Sequence, residues 1–113
     1  MLAPPARGEV DVALAELKIE LANALGPRLV RLILFGSYAR GFVHADSDVD
    51  VLVLVQPKER EDGHRAADAA VAVMLRHPDV VLSPLVLSVA ELDELRVRER
   101  RLAREIDQDG IPL

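Results

Sequence analysis

Gly36 and Ser37 close one apolar run, and ten residues separate Ser37 from Asp48, which with Asp50 opens another. The stretch reads Leu34-Phe35-Gly36-Ser37-Tyr38-Ala39-Arg40-Gly41, then residues 42–47, then Asp48-Val49-Asp50 leading into Val51 to Val55. Side chains two apart on a strand share a face, so Asp48 and Asp50 project together while Val49 and Val51 turn the other way. Two adjacent carboxylates repel unless a proton or a cation neutralises them. An oxygen-only site of this kind suits Mg²⁺, which takes one or two carboxylates and completes its shell with water and substrate phosphates. A pair of such ions can clamp both the attacking and the leaving oxygen of an in-line displacement. A lone Asp-x-Asp reads more simply as a loop terminator and a solvated strand residue. Asp50 lies inside an apolar run, however, where an unpaired charge is costly, and that favours the functional reading.

The Gly-Ser pair supplies the complementary chemistry. Gly36 has no Cβ, so the chain can turn tightly there and approach a ligand closely. A helix beginning after it offers unpaired N–H groups to a phosphate, and the Ser37 hydroxyl adds a donor. Arg40, about one helical turn on, can screen a polyphosphate, and Gly41 permits the next turn. Taken alone, Gly-Ser is an ordinary strand-to-helix turn with a serine cap. It is not a Walker loop, whose lysine and surrounding glycines are absent.

The elements that must position these groups follow from periodicity. Val10, Leu14, Leu17, Leu21 and Leu25 recur every three or four residues and predict an amphipathic helix, stopped by Gly26-Pro27 and preceded by a Pro-rich, irregular lead-in over residues 1–8. Leu29 to Phe35 predicts a buried strand; Ser37 caps a short helix through Arg40; residues 41–47 form a polar loop; residues 48–55 form the second strand. A third helix opens in the charged stretch from Gln56 to His64, with Ala67, Ala70, Val71 and Met74 as its apolar face, and closes at His77-Pro78. Val80 to Leu87 predicts a third strand, placed at an edge or bulged because Pro84 donates no ladder hydrogen bond. Ser88 then caps a last helix, with Glu91 in capping-box position, running to about Asp107. The fold class is α/β or α+β, a small sheet flanked by helices, with a domain over residues 9–113.

Composition bounds the function. The chain has 113 residues, 50% of them hydrophobic and only 3% aromatic, so its core is aliphatic. A net charge of −5 disfavours direct nucleic-acid binding, which rewards clustered Lys and Arg. With no cysteine there is no disulfide framework and no thiolate chemistry. No segment has the apolar length of a signal peptide or a membrane span, and a soluble, cytoplasmic protein is expected.

Gly-Ser, ten residues, Asp-x-Asp, with Arg40-Gly41 and Ser47 between, resembles the minimal nucleotidyltransferase family of the DNA polymerase β superfamily. The close match spans residues 34–55, roughly a fifth of the chain. The resemblance implies a palm-like mixed sheet and transfer of a nucleoside monophosphate from an NTP, with ATP the expected donor. It implies Gly36 and Ser37 as the triphosphate grip, Arg40 and Ser47 as further nucleotide-binding residues, and Asp48 and Asp50 as catalytic ligands of Mg²⁺. Many small members of that family are antitoxins paired with a HEPN-type ribonuclease toxin, and some adenylylate it, so a partner protein is implied; self-association into a homo-oligomer stays open. The family's full catalytic set has a third acidic residue on a later strand. Here Val80 to Leu87 contains no carboxylate, and Ser83 stands in the expected position. Serine is a weak base, and Asp79, four residues back, is roughly 13 Å away along a regular strand.

Two readings from different classes therefore compete: a Mg²⁺-dependent nucleotidyltransferase, and a catalytically weak or inactive antitoxin that neutralises a toxin by covering it. A sugar-nucleotide transferase using Asp-x-Asp to hold a diphosphate fits the short chain less well. Among the other candidates, Tyr38 either stacks on a base or packs at the helix start. His44 reads as a solvated loop residue, and His64 and His77 have no zinc-site spacing. Arg96, Arg98, Arg100, Arg101 and Arg104 alternate with acids in the manner of a solvated, ion-paired helix face.

Overall fold

In the computed structural model, which describes residues 6–41 and 48–113, helix α1 spans Arg7–Leu25 and turns Val10, Ala13, Leu14, Leu17, Leu21 and Leu25 inward. All five periodic positions are buried, and the helix begins two residues inside the expected lead-in. A 3-10 turn, Gly26–Arg28, leads into β1, Leu29–Phe35. After the one-turn helix α2, Ser37–Arg40, come β2, Val49–Val55, α3, Asp62–Arg76, and β3, Leu82–Ser88. Helices α4, Val89–Val97, and α5, Arg101–Asp109, precede the two-residue strand β4, Ile111–Pro112.

The strands form one mixed sheet in the order β3-β2-β1-β4, with β1 antiparallel to β2 and β4 and β2 parallel to β3. Pro84 thus lies on an edge strand, where a missing N–H is tolerated. On one face Leu32, Leu34, Val49, Val51, Val53 and Val55 pack against α1 and α3. On the other, Ile33, Phe35, Leu52 and Leu54 pack against Leu92 of α4 and Ile106 of α5. Covered on both sides, β2 reads as an unbroken apolar run whose single polar member is Asp50. No helix among the described residues is long and apolar enough to cross a membrane.

Three expectations need correction. Helix α3 begins at Asp62 and buries Asp62, Ala66, Ala69, Ala70 and Val73, whereas Ala67 and Val71 face water. Small apolar residues populate two helical faces, and the Asp62 carboxylate, bound to both Arg28 guanidinium nitrogens at 2.7 and 2.9 Å, selects the inward one. The last helix is two helices, broken where Glu99 adopts φ +53°. A straight helix over the same stretch would extend about 30 Å and leave the sheet. Folding back lets Leu92 and Ile106 share one apolar cluster, and Arg96 ties the halves together through Asp93 at 2.9 Å and Asp107 at 2.8 Å. Strand β4 lies where only a helix end was expected. The capping box is present as expected: Glu91 N donates to Ser88 Oγ and Ser88 N to Glu91 Oε1, each at 3.0 Å.

Candidate active site

The site is assembled where β1 ends beside the start of β2. Phe35, the last residue of β1, pairs with Asp50, and on the other side Asp50 pairs with Ser83 of β3. Gly36 follows with φ +76°, a conformation that L side chains rarely adopt. Its α-carbon is packed on the Asp50 carboxylate: a Cβ there would overlap Asp50 Oδ2 and lie 3.3 Å from Asp50 Cγ. Backbone angle and space both require glycine, and the same contact joins the two halves of the sequence motif.

Gly36, rather than Ser37, takes the N-cap position of α2, and no side chain caps the helix. Ser37 is the first helical residue, so its hydroxyl is not used as a cap. The helix is a single turn, closed by Arg40 N donating to Gly36 O at 3.3 Å, and its first N–H groups have no partner within it. Gly41 ends it in the left-handed conformation, φ +80°.

Val49 and Val51 are fully buried on the α1/α3 side, which turns Asp50 to the opposite face of the sheet. Asp48, immediately ahead of β2, is exposed yet close enough to act on Asp50. The Asp50 carboxyl is pushed above the ordinary carboxylate value, first by burial, then by the negative charges of Asp48 and Glu105; Arg40 partly offsets this. A carboxylate pair under such repulsion fits a divalent cation. Among the described residues no three His, Asp or Glu side chains gather into a metal cage.

Glu105, on α5, was not singled out from the sequence. It is partly buried, with Arg40 Nη1 at 3.7 Å and Arg101 Nε at 3.2 Å. No local signal points to it, because the break that carries α5 back to the sheet contains neither Gly nor Pro. The register sets Ser83 directly beside Asp50, while Asp79 stays exposed in the turn before β3.

Tyr38 is 2% exposed and packs in the α1/α3 core, so it does not offer a surface to a base. His64 is exposed at the start of α3, and His77 at its end pairs with Glu16. Arg96, Arg98 and Arg101 are ion-paired to neighbouring acids, as the mixed-charge pattern predicts. Ser47 and His44 lie outside the described residues.

The family model of the nucleotidyltransferase domain matches residues 15–108. The chain belongs to this family. A relative from Methanocaldococcus jannaschii, named as a putative protein adenylyltransferase, is 35% identical over 79 residues, covering 69% of this chain and 79% of the relative. A second so-named protein from the same organism is 38% identical over 69 residues, covering 59% of this chain and 47% of its own length. The fold is shared with a solved structure described as a putative minimal nucleotidyltransferase, with TM-score 0.58, 24% identity, and 96% of this chain and 100% of that one covered. It is shared also with a toxin-antitoxin structure containing AMP-PNP, with TM-score 0.57, 24% identity, and 85% and 68% covered. The mixed sheet and the nucleotidyltransferase assignment expected from the motif both stand.

Proposed function

We propose that this nucleotidyltransferase moves AMP from ATP to a hydroxyl on a partner protein, in a Mg²⁺-dependent reaction at Asp48 and Asp50. The packing of Gly36 on the Asp50 carboxylate carries the reading, because it joins the phosphate-facing turn to the metal-facing strand in one contact. The relatives named as protein adenylyltransferases support a protein acceptor, and the AMP-PNP complex among the structural neighbours supports an adenine nucleotide.

In this scheme the Ser37 hydroxyl and the free N–H groups of the turn bind the triphosphate, Arg40 offsets its charge, and Ser47 completes the contact. Asp48 and Asp50 would hold Mg²⁺, which when bound would supply charge neutralisation at the phosphate oxygens. An acceptor oxygen forms a bond to the α-phosphorus, the bond from that phosphorus to the bridging oxygen breaks, and pyrophosphate leaves with the electron pair. The acceptor proton passes to solvent or to a group brought by the partner, since Ser83 beside Asp50 is a poor base. Positioning and charge stabilisation supply most of the catalysis in such transfers. A cytoplasmic setting, with ATP and Mg²⁺ at hand, suits this chemistry.

The resemblance to toxin-associated family members makes a HEPN-type protein the partner to test. Incubation with α-labelled ATP, Mg²⁺ and that partner is expected to label the partner, and Asp48→Ala and Asp50→Ala to abolish the label. One observation favours a second reading: Ser83, not a carboxylate, pairs with Asp50 in the register, which suits a chain that neutralises its partner by binding alone. Tight complex formation without labelling, unchanged by either alanine variant, would establish that reading instead.

A further inference from the structure

Arg40 pairs with one carboxylate, Glu105, and acts electrostatically on another, Asp50. Its Nη1 is 3.7 Å from Glu105 Oε1, and their side chains retain 33% and 25% exposure, a pair more sheltered than Glu105 makes with the 90% exposed Arg101. Both Arg40 and Glu105 are within electrostatic reach of Asp50. Among the described residues no ion pair joins Arg40 to Asp50, although Asp50 is partly buried and lies under the repulsion of neighbouring acids. A guanidinium is a strong bidentate partner for a carboxylate. Settled on Asp50, it would take the place of a divalent cation and withdraw from the phosphates it should meet.

The fold maintains Glu105 in its place at some expense. Glu99 is held at φ +53°, a left-handed conformation that is unfavourable for a non-glycine residue, and this break turns α5 back onto the sheet. Ala103 and Ile106 are buried there, which anchors Glu105 between them at the margin of the site. Glu105 Oε1 faces two arginines, Arg40 at 3.7 Å and Arg101 at 3.2 Å.

We propose that Glu105 is a positioning residue, holding Arg40 off the Asp48/Asp50 pair so that the carboxylates remain open to a divalent cation and the guanidinium remains available to phosphate. The inference rests on the metal-site reading given above. It predicts competition, in which loss of Glu105 releases Arg40 onto Asp50 and weakens cation binding, and further loss of Arg40 restores it.

Mn²⁺ binding to the full chain, followed by the electron paramagnetic resonance of free Mn²⁺, tests this without recourse to activity. Circular dichroism confirms that each variant is folded. Glu105→Gln is expected to weaken Mn²⁺ binding roughly three- to tenfold, the range of a partly exposed ion pair at close quarters. Arg40→Gln should bind Mn²⁺ at least as well as the parent chain, and the double variant should match Arg40→Gln. Unchanged Mn²⁺ binding in Glu105→Gln overturns the proposal. So does a double variant weaker than Arg40→Gln by the full Glu105→Gln factor, since Glu105 would then act on the ion by its own charge. Mn²⁺ uptake that survives Asp50→Ala removes the metal site itself, and this inference with it, through a variant that leaves Glu105 and Arg40 in place.

Discussion

Asp50 and Asp62 are both drawn into the interior of this fold, and the chain treats them oppositely. Asp62, 0% exposed, accepts from Arg28 Nη1 at 2.7 Å and Nη2 at 2.9 Å, from Arg65 Nη1 at 2.8 Å and from Glu59 N at 2.7 Å. The Arg28 guanidinium, above all, holds its carboxyl well below the usual carboxylate range. Asp50 is half-buried, and no side-chain hydrogen bond or ion pair joins it to another described residue. Its protonation is favoured by burial and by neighbouring acids. A fold able to surround one carboxylate with four donors leaves the other under strain. Buried charge persists only when something offsets it: the first arrangement carries that offset within the fold, and under the function proposed above a cation would supply it for the second.

The two carboxylates should separate most sharply under alanine substitution. Asp50→Ala is expected to lower nucleotidyl transfer by about a thousandfold, as loss of a charge-stabilising group at a transition state does. It should leave the urea midpoint unchanged or raised. Asp62→Ala should do the converse, destabilising the fold by about 3 kcal/mol while the residual folded protein keeps its activity. That value is the lower end for a broken buried pair, because Arg28 and Arg65 retain contact with water. Acid separates them too. The lowered Asp62 carboxyl stabilises the fold above its unfolded-state value near 3.8, and that contribution is lost as pH falls below about 4 toward its folded value. Asp50, raised in the fold, gives the opposite slope: stability is gained as pH falls through its folded value toward 3.8. Asp50→Asn should therefore be more stable than the parent at neutral pH, with the advantage vanishing as pH approaches 4 in urea unfolding.

Gly36→Ala tests the contact that joins the two halves of the site. The alanine meets a strained φ of +76° and the Asp50 carboxylate together. A loss of about 1–2 kcal/mol in stability is expected from the backbone alone. Binding of a nucleotide analogue, followed by calorimetry, should fall with it as Asp50 is pushed aside. An alanine that binds the analogue normally would detach Gly36 from the site.

What the sequence makes legible in this molecule is what neighbouring residues enforce. The α1 stripe, the limits of β1, the Ser88–Glu91 capping box and the edge position of Pro84 all follow from periodicity, capping and a missing N–H. The Gly36–Asp50 contact is approachable from the sequence because Gly36 follows β1 directly and Asp50 lies near the start of β2, and the two consecutive strands pair antiparallel. Features decided at a distance were not legible. The α3 face depends on Arg28, which lies 34 residues before Asp62. The α4–α5 break at Glu99 is imposed by the sheet that receives Ile106, with Leu92, Leu102 and Ile106 still spaced as one continuous helix would space them. Glu105 reaches the site only through that break.

Tyr38 offers the mildest test, because it is a third buried polar group but a neutral one. Its hydroxyl has no hydrogen-bond partner among the described residues, and burial pushes its pKa up. An unsatisfied hydroxyl costs less than an unsatisfied carboxylate, since desolvating a dipole is cheaper than desolvating a charge. Removing it should therefore help slightly: Tyr38→Phe is expected to raise stability by at most about 1 kcal/mol, seen as a higher melting temperature, with Mn²⁺ and nucleotide binding unchanged. A Tyr38→Phe chain that melts lower would show that the hydroxyl has a partner. One that binds nucleotide more weakly would place Tyr38 with Asp50, among groups kept unsatisfied for a ligand, rather than with the core around it.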